Sequence, residues 1–349
     1  MMSLRQDVAL RPIPEIKSHD HLPPRVSLSD RDALLYCQRV LCETFENAYR
    51  ASTYARTRPS DPPVAYITLA TPDYAWGTRV LLRTLRRYTS VPILVMIPSN
   101  YSLHSDVQDV FAINVPTLYR QADGARKEFS QTFTKLWAFS LINFRRIVFL
   151  DSDTLVLGSL DDLLDGDEFL VCRDSVEYVE LSAFNSGLMA FSPKPHLFQR
   201  ILEEGATAPT KDGGDQGLLN SLFRGEVKYL GSEFNAIKHY LYFRHPDLRQ
   251  QDLRMVHYIV KKPWELWYRE ITDAFCVDLE DLWTSELSRT ELLDLISQWR
   301  RNQFLAERPR FDVTRQHRKK RKRNRNLAIC GLAGALMFGL GALVCRMME

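Results

Sequence analysis

The stretch Phe149-Leu-Asp-Ser-Asp-Thr-Leu-Val-Leu-Gly158 (FLDSDTLVLG) sets two carboxylates inside a run of apolar and β-branched residues. It continues from Arg145-Arg-Ile-Val148, so Arg146 to Leu150 reads as a buried strand that ends where charge begins. In an extended chain residues i and i+2 point to one side, which brings Asp151 and Asp153 together while Ser152 turns away. Converging carboxylates repel each other unless a cation lies between them. Hard oxygen ligands at this spacing suit Mg²⁺ or Mn²⁺, which commonly use one or two carboxylates together with substrate phosphates. The plainer alternative is a solvated turn, with the acids of Ser159-Leu-Asp-Asp-Leu-Leu164 serving as helix caps.

Outward from that strand the chain alternates. VAYITLA from Val64 is a β-branched run, WGTRVLLRTLRRY from Trp76 has helical spacing, and VPILVMIP from Val91 is a second buried strand. FTKLWAFSLINF from Phe133 predicts a further helix before the Arg146 strand. Alternation of this kind predicts an α/β domain on a parallel sheet, and such sheets place ligands at the carboxyl ends of their strands. Phosphatases of the haloacid-dehalogenase type also put Asp-x-Asp after an apolar strand, the first Asp being the nucleophile. Their pattern expects Thr or Val four residues beyond that Asp, where Leu155 stands, and places the motif on the first strand of the domain.

Ahead of the alternating region, residues 1–60 read as an N-terminal extension. Pro12, Pro14, Pro23 and Pro24 mark an irregular start, Ser29-Asp-Arg-Asp32 leads into the helical run ALLYCQRVLCETFENAY, and Pro59, Pro62 and Pro63 close it. No apolar stretch of secretory type opens the chain. Six cysteines in 349 residues, none in Cys-x-x-Cys spacing, read as reduced thiols and suit a cytosolic body. With 45% hydrophobic and 11% aromatic residues, the chain can bury a sizeable core.

Charge is unevenly placed. The segment Arg315 to Asn326 (RQHRKKRKRNRN) holds eight basic residues and no acid, and removing them from the net +3 leaves −5 for the rest. Beyond it, Leu327 to Cys345 is 19 residues without a charge, about 28 Å as a helix and close to the ~30 Å of a bilayer's hydrocarbon core. A single transmembrane helix over 327–345 is the expectation, with 311–326 as a basic juxtamembrane segment facing the cytosol. A span so near the end of the chain implies post-translational insertion, as for tail anchors. Two alternatives are a buried hairpin of helices for the span and a nuclear-localisation or nucleic-acid patch for KKRKR. Attraction to anionic lipid, about 1 kcal/mol per basic residue near the surface, favours the membrane reading over nucleic acid. Gly331, Ala335 and Gly339 stand at small-x-x-x-small spacing, which permits pairing into a dimer.

Six segments in this order, AYITLATPDYAWG, TFTKLWAFSL, FLDSDTLVLGSLDDLL, FNSGLMAFSP, GGDQGLLN and VHYIVKKPW, resemble the glycogenin and galactinol synthase family, glycosyltransferase family 8. The resemblance covers roughly Pro63 to Trp264. It implies a GT-A fold, a Rossmann-like nucleotide-sugar-binding sheet, over 61–310. It also implies a retaining transferase that moves a hexose from a UDP-sugar to a hydroxyl, with Mn²⁺ (or Mg²⁺) as cofactor.

The resemblance also assigns residues. Asp151, Asp153 and His257 would ligate the metal. Leu69, Thr71 and Tyr74 would hold uracil and ribose, Lys135 would reach the sugar or diphosphate, and Lys262 would neutralise the departing diphosphate as a compact charge. Asn185, Ser186, Asp212, Asp215 and Gln216 would line the sugar pocket, where Gly187, Gly213 and Gly214 let backbone approach closely. Gln216 or Asp212 would support an oxocarbenium-like sugar, neither being assigned as a covalent nucleophile. Asp215 could equally be the N-cap of the helix QGLLNSLF. The acceptor (carbohydrate, lipid, protein or the chain itself through Tyr240 or Tyr242) stays open, as does a membrane-tethered binding or scaffold protein with a decayed site.

Overall fold

The computed structural model describes residues 6–18, 20–98, 102–120, 131–174, 183–210, 213–238, 250–259, 261–265 and 277–313. The elements that build the fold are, in chain order, β1 (Glu15–Ile16), α1 (Arg31–Ala51), β2 (Val64–Leu69), α2 (Ala75–Arg86), β3 (Ile93–Ile97), β4 (Val110–Asn114), β5 (Arg146–Leu150), β6 (Thr154–Val156), β7 (Phe169–Arg173) and β8 (Phe184–Phe191). They continue with α3 (Pro195–Glu204), α4 (Asp215–Phe223), β9 (Val227–Leu230), β10 (Ala236–Ile237), β11 (Met255–His257), α5 (Val277–Thr284) and α6 (Arg289–Val313).

An eight-stranded sheet runs in the order β9-β7-β8-β5-β2-β3-β4-β1. Every neighbouring pair is parallel except the two made by β8, which lies antiparallel between β5 and β7. The expected α/β sheet is present, and it is mixed rather than purely parallel. The reversal of β8 has a local use: it brings that strand's first residues, Phe184 to Gly187, to the edge where the parallel strands end. A three-stranded sheet, β6-β11-β10, follows the main sheet at the same end.

Side chains alternate across the strands as a sheet buried on both faces requires. From β5, Ile147 and Phe149 enter a core shared with α1, α3 and α4, while Val148 and Leu150 enter one shared with Leu81, Leu82 and Leu85 of α2. In the first core Phe139 stacks on Phe191 with ring centres 4.3 Å apart and on Phe223 at 5.5 Å. Each such ring, once buried, contributes about 1.5–3 kcal/mol. Asp30 caps α1 by accepting from the Ala33 amide at 3.0 Å, and β1 extends the main sheet by pairing with β4.

The helix expected at Phe133 is instead a succession of 3₁₀ turns over Thr132–Ser140. Phe133 to Ser140 are all buried, so this segment has no solvent face around which an amphipathic α-helix could be organised. Among the described residues no helix is long and apolar enough to cross a membrane. The expected span, 327–345, and its basic flank from 315 lie outside them.

Candidate functional site

Asp151, Asp153 and His257 come together at the carboxyl ends of β5 and β11. Their ligand atoms all lie within 4.8 Å of one another. His257 Nε2 is 3.2 Å from Asp153 Oδ1 and 4.0 Å from Asp151 Oδ2. The carboxylates converge through a turn and not by strand alternation. β5 stops at Leu150, Thr154 Oγ1 donates to the Asp151 carbonyl at 2.8 Å, and Thr154 then pairs with His257 across β6 and β11. Two oxygen donors and one imidazole nitrogen form a hard, compact set that fits a divalent cation such as Mn²⁺ or Mg²⁺.

Both lysines expected near the site are there. Lys135 Nζ sits between Asp151 Oδ1 and Asp215 Oδ2, 2.8 Å from each, and donates to Ser186 Oγ at 3.3 Å. It is buried, not a surface lysine. Burial alone would depress its ammonium, but the two carboxylates outweigh that and hold it above its ordinary value. Lys262 Nζ donates to Asp153 Oδ2 and, at 3.0 Å, to the Tyr258 carbonyl. Its ammonium is likewise pushed down by burial and then raised further by Asp153.

The two acids of the motif respond oppositely. Burial is the strongest influence on both and acts upward. At Asp151 it prevails over Lys135 and the carboxyl is raised, whereas at Asp153 the Lys262 ammonium and the adjacent His257 ring win and hold the carboxyl well below the usual range. Asp151 keeps 26% of its side-chain exposure and so faces the open side of the site.

Behind the metal set, two backbone amides fix the orientation of every carboxamide. Ser186 N–H donates to Gln216 Oε1 at 3.2 Å and Gly187 N–H to Asn185 Oδ1 at 2.9 Å, so both atoms must be oxygens. Gln216 Nε2 then donates to Asp174 Oδ2 at 2.8 Å, and Asn185 Nδ2 to Gln216 Oε1 at 3.0 Å. Asn235 Nδ2 donates to Asn185 Oδ1 at 2.9 Å, which turns Asn235 Oδ1 toward His257 Nδ1, 3.1 Å away. The hydrogen of Nδ1 is thereby placed, and Nε2 is the nitrogen aimed at the carboxylates. Gly187 is required by this approach: a Cβ there would meet His257 Cε1 at 2.2 Å.

On the other side, Tyr74 packs edge-on against Trp264 at 5.6 Å, and Lys262 Nζ lies 5.4 Å from the centre of the Tyr74 ring. Burial raises the Tyr74 hydroxyl's pKa. Leu69 ends β2 and Thr71 follows it, both half-buried.

Asp215 is not an N-cap. Gly214 occupies that position of α4, and the Asp215 carboxylate accepts from Lys135 and from Ser186 Oγ at 2.8 Å. The structure therefore gathers Asp151, Asp153, His257, Lys135, Lys262, Asn185, Ser186, Asp215 and Gln216 into one connected set. Asp212, Tyr240 and Tyr242 lie outside the described residues. Sequence reasoning missed Asn235 and Asp174. A signal for Asp174 existed in its place at the end of a strand, two residues after Cys172; Asn235, in the common local sequence Glu-Phe-Asn-Ala, offered none.

Residues 92–268, half of the chain, match the sequence model of Glycosyl transferase family 8. The chain belongs to that family. It is similar to human Glycogenin-2, 33% identical over 223 residues, which are 58% of this chain and 44% of the relative. It is similar to mouse Glycogenin-1, 31% identical over 251 residues, 66% of this chain and 73% of the relative. It is also similar to Inositol phosphorylceramide glucuronosyltransferase 1 of Arabidopsis thaliana, 28% identical over 255 residues, 64% of this chain and 45% of the relative. The chain thus spans less than half the length of two of these three relatives. Its mixed sheet carries the gathered site at the strand ends.

Proposed function

We propose that this family 8 chain is a retaining, metal-dependent hexosyltransferase that uses a UDP-sugar as donor and a hydroxyl as acceptor. The observation that carries the reading is the juxtaposition of the Asp151, Asp153 and His257 set with two buried lysines. Carboxylates and imidazole supply a seat for a divalent cation, and Lys135 and Lys262 supply fixed positive charge on either side of it. That is the composition a diphosphate leaving group calls for.

A cation held by Asp151, Asp153 and His257, Mn²⁺ in this reading, would offset charge on the diphosphate as the bond to C1 breaks. Lys262 adds a compact charge beside the same carboxylate, and Lys135 links the metal side, through Asp151, to the sugar side, through Asp215. Asn185, Ser186 and Gln216 present a rigid polar wall for sugar hydroxyls, because their amides are already oriented before any ligand arrives. Leu69, Thr71 and Tyr74 stand where β2 ends and would receive uracil and ribose. Gln216 would support the oxocarbenium-like sugar, with Asp212 as the alternative. Relatives named as glycogenins and as a glucuronosyltransferase suggest glucose and glucuronic acid as the first donors to try.

The tail completes the proposal: 327–345 would anchor the protein in a membrane, with 311–326 against anionic lipid and residues 61–310 on the cytosolic face. The test of the donor reading is a panel of UDP-sugars incubated with the protein and Mn²⁺, followed by intact mass. Release of UDP from one donor identifies the sugar, and a hexose increment on the chain identifies self-transfer. No release from any donor, with or without metal, would contradict the reading.

A further inference from the structure

Helix α5 lies beyond residues 92–268 that match the family. It carries Glu280, whose carboxylate receives the ammonium of Lys238; the side chains are 2% and 1% exposed. A buried ion pair is a weak source of stability, since taking two charges out of water costs about what their attraction returns. Its value lies in what else the pair holds.

Lys238 Nζ also donates to the Lys261 carbonyl at 3.0 Å and sits 5.7 Å from the centre of the Tyr258 ring. The Tyr258 hydroxyl donates to the Leu279 carbonyl of α5 at 2.6 Å, while its amide donates to the Asp153 carbonyl at 2.9 Å. Lys262 follows Lys261 directly and donates from its ammonium to the Tyr258 carbonyl at 3.0 Å and to Asp153. Two residues on, Trp264 packs against Trp283 of α5 with ring centres 5.7 Å apart. The chain is therefore tied to α5 on both sides of Lys262, at 258 and 261 before it and at 264 after it.

We infer that Lys238 and Glu280 are positioning residues for Lys262, setting where its ammonium meets a nucleoside diphosphate. The inference rests on the reading of Lys262 as a diphosphate-facing group. A lysine is a point charge on a flexible stem, so the place of its Nζ depends on how firmly its backbone is held. Lys238 holds that backbone at the Lys261 carbonyl, and Glu280 keeps the Lys238 side chain pointed there. The effect of their loss is read on the distal phosphate, with UMP and Mn²⁺ as the references for the base and the cation.

Equilibrium binding of UDP, UMP and Mn²⁺ to the full chain distinguishes this from a structural role. Lys238→Met/Glu280→Met replaces the pair by apolar side chains of similar volume, a change that buried ion pairs commonly tolerate. Losing one well-made charged contact corresponds to about a tenfold weaker UDP affinity, with UMP and Mn²⁺ affinities within about twofold of the unaltered chain. Glu280→Gln shifts the UDP-to-UMP ratio in the same direction, and Lys238→Arg, which keeps a charged donor, preserves it. A folded variant with an unchanged UDP-to-UMP ratio overturns the inference, as does an equal loss of all three ligands. An unaltered chain that binds no UDP overturns the donor reading itself, and this inference with it.

Discussion

Asn235 sets the ring of His257. Its carboxamide oxygen faces Nδ1 at 3.1 Å, and its amide nitrogen is pinned to Asn185 Oδ1 at 2.9 Å. A metal-ligating imidazole held in this way gains both orientation and basicity. Asn235→Leu leaves the three ligands in place and removes that hold, so Mn²⁺ affinity should fall about 10–100-fold. Titration of Mn²⁺ into the folded variant checks this, and an unchanged affinity would mean that the ring is fixed by other contacts.

Gly187 gives a steric counterpart. Its amide and carbonyl are both engaged, the amide with Asn185 Oδ1 and the carbonyl with the Asp151 amide at 2.9 Å, so the backbone cannot retreat from an added methyl. Gly187→Ala should cost about 1–3 kcal/mol through overpacking and displace His257, lowering Mn²⁺ affinity as well. Denaturant unfolding and metal titration on one sample would show both effects; a loss of stability alone would mean that His257 has room to move.

The metal set was legible in the sequence because its chemistry is local. Asp151 and Asp153 share one short motif, and His257 and Lys262 share another. Strand β5 was legible, since Ile147 to Leu150 is an apolar, partly β-branched run between Arg146 and Asp151. What could not be read was whatever depends on side chains meeting across long separations. Asn235 serves His257 from 22 residues away and Lys238 meets Glu280 across 42, and neither type of residue announces its partner. The 3₁₀ segment around Lys135 was misread as an α-helix because burial on all sides erased the periodicity that tells the two apart.

The opposite behaviour of the two motif acids has a sign that can be measured without metal. Asp153 is held below its ordinary value of 3.8, so its contribution to stability is complete above that value and is lost only as pH falls through the depressed one. Asp151 is raised above 3.8, so its ionised form opposes folding at neutral pH, and the opposition is relieved as pH falls through its folded value. In chelator, Asp153→Asn should therefore destabilise the protein at pH 7 by about 3 kcal/mol, the cost of stranding a buried partner. Asp151→Asn should leave stability unchanged or improved. Equal losses in the two variants would contradict the assignment.

Removal of residues 315–349 should release the protein from membranes and leave UDP-sugar hydrolysis intact, because the described site draws on nothing beyond Lys262 and its supports in α5. Fractionation of the full chain and the shortened one, with donor hydrolysis on each, checks both halves. A shortened chain that folds but does not turn over donor would tie the tail to catalysis.

The most direct measurement is UDP release by Asp153→Asn. The substitution keeps size and removes one unit of charge beside the metal seat. Its cost of about 3 kcal/mol fits within the 5–15 kcal/mol by which domains are commonly stable. With the donor identified and Mn²⁺ saturating, turnover should fall roughly a thousandfold, several kcal/mol of metal-assisted stabilisation at about 1.4 kcal/mol per tenfold. The unaltered chain should lose activity comparably in chelator. Full UDP release by folded Asp153→Asn, or turnover by the unaltered chain that chelator does not touch, would contradict a metal-dependent transfer at this site.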